Sequence, residues 1–291
     1  MLNANTQLHD KVIDRAAMIR LYEDSVNAKV GLLIDGHELR LDNILNGSKL
    51  DSKDFSRVRG LVDKELAKAY KSLYNETKKS FLELFADQTS YAYQNVETTM
   101  GKIWRTQRPT RRVAEEVVLE SPLFKDTNMS AGWGKLQVNE RQRLSSIIRK
   151  GISDGDTANE IALKVRKGNV HKITRQHSMT LVATGITSVH NQADHAVYKA
   201  NAKALKGWQY VAVLDSATTP ICVERDAKVY KVEDSVHLPP AHYGCRSTTT
   251  PVFKSWDDIG KLEGVAEIRR RNLEKLSKKQ KAFYDGQVPD Q

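Results

Sequence analysis

Residues 208–252, WQYVAVLDSATTPICVERDAKVYKVEDSVHLPPAHYGCRSTTTPV, decide how the chain reads. They hold both cysteines, Cys222 and Cys245, and four of the seven prolines, Pro220, Pro239, Pro240 and Pro251. Trp208, Tyr210, Ala212 and Leu214 alternate with Gln209, Val211 and Val213, which is the period-two pattern of a β-strand. Residues 228–232 and 248–252 are two further short strands. Between them, Asp215, Ser216, Thr218, Thr219 and Pro220 are turn formers, and the Asp215 carboxylate can accept bonds from nearby amides. Pro239 and Pro240 make a stiff connector, and Asp226 and Arg246 are expected to pair inside the knot. No other region combines strand alternation, turn chemistry and soft metal donors.

Upstream the pattern is helical. Val12, Ala16, Ile19, Leu21 and Val26 predict a helix over residues 8–28, and the apolar run at 31–37, closed by Asp35-Gly36, predicts a turn or small hairpin. Ser52 and Asp54 offer a cap for a second helix over residues 53–95. Its stripe, Phe55, Val58, Val62, Leu66, Tyr70, Leu73, Thr77, Phe81, Leu84 and Tyr91, steps by three, four or seven and reads as core. A short helix is expected at 111–119. Gly132 and Gly134 are expected to interrupt the chain before a helix over 138–150. Asp156 or Thr157, followed by Glu160, marks a helix start, and Gly168 marks its end. A long helix over 171–203 has one apolar face, with Met179, Val182, Ile186, Val189, Ala193, Ala196 and Ala200. Its other face carries His177, Thr180, Thr184, Asn191 and His195, and reads as a solvent face in preference to the lining of a cleft. Downstream, Ser255 caps a final helix to about residue 276, with Asp257 and Asp258 in its first turn. The fold class is therefore α+β: a long-helix region over 1–135, a mixed module with a small sheet over 136–254, and a C-terminal helix with a basic tail over 255–291.

A chain of 291 residues with 40% hydrophobic and 28% charged residues buries a real core. It has no run of membrane-span length, and the first residues lack the basic and apolar regions of a signal peptide. Two cysteines make no secreted disulfide framework, so assembly in a reducing cytoplasm is expected. The net charge of +10 suits an acidic neighbour. Basic residues cluster over 105–112 and at Arg269, Arg270, Arg271, Lys275, Lys278, Lys279 and Lys281. These are read either as a solvated surface or as a non-specific contact with DNA phosphates; zinc-finger, basic-zipper and RNP spacings are absent.

Three chemistries fit the knot. Cys222, His242 and Cys245 form a Cys…His-x-x-Cys donor set suited to a structural zinc, with Asp226 or His237 as a candidate fourth ligand. The same cysteines can instead form a disulfide or remain buried thiols. A zinc-dependent enzyme, or a nucleophilic cysteine paired with His242, is the weaker alternative: the deaminase pairing of His-x-Glu with Pro-Cys-x-x-Cys is missing, as are Walker A and GxGxxG motifs. The last reading is structural, in which the knot sets strand pairing and offers a surface to partners.

The run Asp215, Ser216, Thr218, Pro220, Ile221, Cys222, then Arg225, Asp226 and Lys228, then Pro239, Pro240, His242, Cys245, Arg246 and Ser247 resembles the phage Mu F-like minor head proteins, a head-morphogenesis family. The resemblance covers about residues 140–253. It departs from the family pattern at Ala217, where arginine is usual, and at Ala227, where glycine is usual, which weakens the case for a tight left-handed turn. It departs again at Ala183-Thr184-Gly185, where Arg-Thr-Glu often stands. The resemblance implies a non-enzymatic minor protein of a tailed-phage capsid, assembled in the host cytoplasm and resident in the virion, at the portal vertex or head interior. Implied partners are the portal protein and the major capsid or scaffolding proteins. The alternative within that setting is a DNA-associated ejection protein delivered with the genome.

Overall fold

A computed structural model describes residues 2–48, 55–101, 104–255 and 258. The N-terminal apolar stripes form two long helices, α1 (Leu2–Asn46) and α2 (Phe55–Met100). Helix α1 runs straight through Asp35-Gly36, where a turn was expected. Val26, Val30, Ile34, Leu41 and Leu45 are all fully buried along it. Each buried aliphatic side chain contributes roughly 1.5–3 kcal/mol, which outweighs the ~1 kcal/mol a glycine costs inside a helix. The stripe on α2 is core, with Val58, Leu66, Leu73, Phe81 and Leu84 buried.

Helix α3 (Arg111–Glu115) continues into one π-helical turn, Glu116–Glu120. Helix α4 (Met129–Asp154) begins well before the expected start, because Asn128 caps it by accepting from Ala131 N and because Met129 and Trp133 are buried. The two glycines thus lie within the helix. Gly132 serves packing: a Cβ there would stand 2.7 Å from Leu181 Cδ1. Helix α5 (Ala158–Lys167) opens on a capping box between Thr157 and Glu160 and closes at Gly168, as its sequence predicts.

Helix α6 (Val170–Ala200) is the central strut. It packs against α1, α2, α4 and the sheet. Gly185 lets α2 approach, since a Cβ there would meet Phe81 Cζ at 2.3 Å. One apolar core joins α1, α2, α4, α5 and α6.

The sheet follows directly. Strand β1 (Leu205–Val211) is central, helix α7 (Pro220–Arg225) follows, and β2 (Val229–Tyr230) and β3 (Thr248–Phe253) flank β1 antiparallel in the order β2–β1–β3. Trp208 stands opposite both Tyr230 and Pro251. Strand β1 stops before Val213 and Leu214, short of its expected end. Ala212 N donates to Asp226 Oδ1 at 2.8 Å, and Val213 O accepts from Thr218 Oγ1, so the chain leaves the ladder there. A second apolar cluster, with Tyr198, Leu205, Trp208, Tyr210, Val232 and both cysteines, sits between the sheet and α6.

Of the expected C-terminal helix, Ser255 and Asp258 are described, and Ser255 Oγ accepts from Asp258 N at 3.1 Å as a cap does. The remainder, with Arg269, Arg270, Arg271, Lys275, Lys278, Lys279 and Lys281, lies outside the described residues, as do Ser52 and Asp54. No described helix is long and apolar enough to cross a membrane.

Candidate functional site

The knot rests on the polar face of α6. Thr184, Asn191 and His195 were read as facing solvent; they are buried at 0%, 0% and 4% exposure. Only His177 and Thr180, nearer the helix start, are exposed. The buried side chains bond to the backbone and hydroxyls of the knot. Thr184 Oγ1 accepts from Gly244 N at 3.0 Å, and Thr187 Oγ1 donates to Cys245 O at 2.7 Å. Asn191 Nδ2 donates to Ser247 O, Tyr198 OH to Thr249 O, and His195 Nε2 to Val232 O at 2.6 Å. His190 Nε2 bonds Thr248 Oγ1 at 2.9 Å. One helix face therefore holds the chain from Gly244 to Thr249 in place. Both histidines are neutral: burial pushes His190 down to about 3 and His195 to about 4. Thr187, His190, Asp194 and Tyr198 were not singled out from the sequence, although they continue the three- and four-residue spacing of Thr184, Asn191 and His195.

Asp194, on the same face, is tied to the two N-terminal helices. Gln88 Nε2 on α2 donates to its Oδ1 at 2.6 Å, and Arg15 Nε on α1 donates to Gln88 Oε1 at 2.8 Å. Burial pushes the Asp194 carboxyl up to about 8.

The motif residues in the knot divide by role. Asp215 takes a two-pronged bond from Arg246, with Nη1 to Oδ2 and Nη2 to Oδ1 both at 2.5 Å, and accepts from Ala217 N. The Arg246 guanidinium holds Asp215 down at about 2. The expected Asp226–Arg246 pair is thus replaced by Asp215–Arg246, because Asp226 is engaged by Ala212 N. Ser216 is exposed. Thr219 stands at the cap position of α7 with Pro220 following, and its carbonyl accepts from Cys222 N and Val223 N. Arg225 reaches His237 O at 3.5 Å. Ala227 adopts φ 59°, so the left-handed turn is kept without the usual glycine. The bond between Pro239 and Pro240 is cis.

The cysteines meet in the middle. Both are free and buried. Cys222 Sγ lies 3.8 Å from Cys245 Sγ and 3.3 Å from His242 Nε2. Tyr210 OH stands 3.3 Å from Cys222 Sγ and 3.8 Å from Cys245 Sγ. His242 Nδ1 donates to Tyr243 O at 2.9 Å, which leaves the Nε2 lone pair facing sulfur. Burial raises the Cys222 thiol, but bonds led by Ser247 and Tyr210 hold it at about 7. Burial pushes the Tyr210 phenol far above its usual range, so it remains a donor. The three donor atoms Cys222 Sγ, His242 Nε2 and Cys245 Sγ lie within 4.8 Å of one another, and neither candidate fourth ligand joins them. Asp226 is held by Ala212 N, and His237 Nδ1 bonds Asp234 Oδ2 at 2.7 Å.

A three-stranded sheet tied by a Cys/His knot to a buried polar helix face is a structural module set on a helical bundle. Residues 142–250 match the family described as Phage Mu protein F like protein. Neither a curated protein nor a solved structure matches the chain.

Proposed function

We propose that this protein is a minor structural protein of a tailed-phage head, acting near the portal in procapsid assembly or DNA packaging. The match of residues 142–250 to the phage Mu F-like family carries the reading, since that family implies head morphogenesis. The character of the site supports a non-enzymatic role. The polar groups of α6 are spent on the backbone of the knot, through bonds that hold a shape rather than meet a substrate. Residence in the virion, at the portal vertex or in the head interior, follows from the same reading, with the portal and the major capsid or scaffolding proteins as partners.

The net charge of +10 favours a second reading, in which the protein accompanies DNA as an ejection protein. Deletion of residues 269–291 separates the two. On the assembly reading, the shortened chain still co-purifies with the portal protein, and particles form with normal infectivity. If particles form normally but fail at DNA delivery, the ejection reading replaces it.

A further inference from the structure

We propose that Cys222, His242 and Cys245 bind one zinc ion that locks the knot. Tetrahedral zinc, with Zn–S of about 2.3 Å and Zn–N of about 2.0–2.1 Å, places two sulfurs about 3.8 Å apart and a sulfur and a nitrogen about 3.5 Å apart. The separations here are 3.8 Å between Cys222 Sγ and Cys245 Sγ and 3.3 Å between Cys222 Sγ and His242 Nε2. A disulfide instead requires the sulfurs at about 2.05 Å. The third pair, Cys245 Sγ and His242 Nε2, lies within 4.8 Å, so a small tip of the half-buried imidazole closes the set.

The surrounding groups suit a zinc thiolate centre. The Nδ1–H of His242 is held by Tyr243 O, which fixes the tautomer that offers Nε2 to a metal. Tyr210 OH lies within reach of both sulfurs, and a metal-bound thiolate, having no proton, takes its hydrogen bond. The two sulfurs are buried in the apolar cluster between sheet and helix, where a pair of bare thiolates lacks water to solvate them. Zinc also answers a mechanical need. Cys222 is on α7, whereas His242 and Cys245 are on the loop that α6 clasps through Thr184 and Thr187. One ion would fasten that loop to α7 across the turn-rich segment between them. Three protein ligands leave the fourth position to water.

The test is metal analysis of the full-length protein purified without chelator, followed by replacement with cobalt. One zinc per chain is expected, and the cobalt form shows strong sulfur-to-metal absorption with the visible bands of a tetrahedral site. His242→Ala retains the helical circular dichroism but loses metal affinity by more than the roughly 10- to 100-fold that loss of an outer partner costs. His242→Cys restores stoichiometric zinc and strengthens the sulfur-to-cobalt band. Cys245→Ser abolishes binding, and if it fails to fold, the histidine variants alone decide. Zinc well below one per chain in wild type after incubation with excess zinc, with both thiols reacting freely in the folded protein, overturns the proposal. So does undiminished affinity in His242→Ala.

Discussion

At the scale of single residues, the knot is held by side chains with one defined task each. Arg246 clamps Asp215, and Asp215 in turn organises the Ala217–Thr218 turn. Ala227 carries strain instead. An alanine at φ 59° stands where L-residues lose roughly 1–2 kcal/mol. Glycine removes that strain but costs about 0.4–1 kcal/mol through the unfolded chain. Ala227 is exposed, so removing its methyl group forfeits little burial to offset the exchange. Ala227→Gly is therefore expected to stabilise the protein by about 0.5–1 kcal/mol, read as a higher urea midpoint at unchanged slope; a lower midpoint would refute the strain. The family resemblance has glycine as the usual residue here, and alanine in its place weakens the case for a left-handed turn. Backbone bonds from Ala227 N to Tyr210 O and from Tyr210 N to Lys228 O hold the turn regardless, and such tertiary bonds have no signature in residue types.

At the scale of elements, α6 is decisive. Its polar residues recur with helical spacing, and periodicity alone does not say whether such a face meets water or protein. The partner of this face is a loop more than forty residues downstream, rich in backbone donors and acceptors, which satisfies most of the buried groups, although His190 Nδ1 and Asn191 Oδ1 have no partner among the described residues. That explains why the helix itself was legible and the direction of its polar face was not. The Gly132 start and the Asp35-Gly36 turn were misjudged for the opposite reason: local breakers were overridden by packing of Trp133 and of Ile34 with its stripe. The capping box at Thr157 and the three strands, being local, were readable.

The same face makes a pH prediction. Asp194 lies among Gln88 and Arg15 from the other helices, with His190 and Tyr198 on its own. Its folded pKa, about 8, lies well above the usual carboxylate range. The folded state thus binds the proton more tightly, and this contribution is complete below the unfolded pKa and lost as pH rises through about 8. Asp194→Asn keeps the acceptor for Gln88 and cannot ionise. Relative to wild type, it should gain stability steadily between pH 4 and 8, reaching about 1 kcal/mol or more. Denaturant melts across that range check it. A constant difference between the two proteins would mean that Asp194 is ionised in the fold.

At the scale of the whole molecule, bundle and knot share α6. The long helices bury one face of it, and the sheet and knot cover its polar face from Thr184 to Tyr198. The segment 142–250 that matches the phage Mu F-like family thus begins within α4 and includes all of α5 and α6, while α1 and α2 complete the core around it. On the head-assembly reading proposed above, this arrangement would keep the part's shape within a larger shell. Quantitative mass spectrometry of purified procapsids and mature virions, from a phage encoding this chain, bears most directly on that role. A structural head protein should appear in both particles, at a low and constant ratio to the portal protein, and should be needed for normal particles to form. Absence from both particles, with normal heads assembling when the chain is deleted, would contradict it.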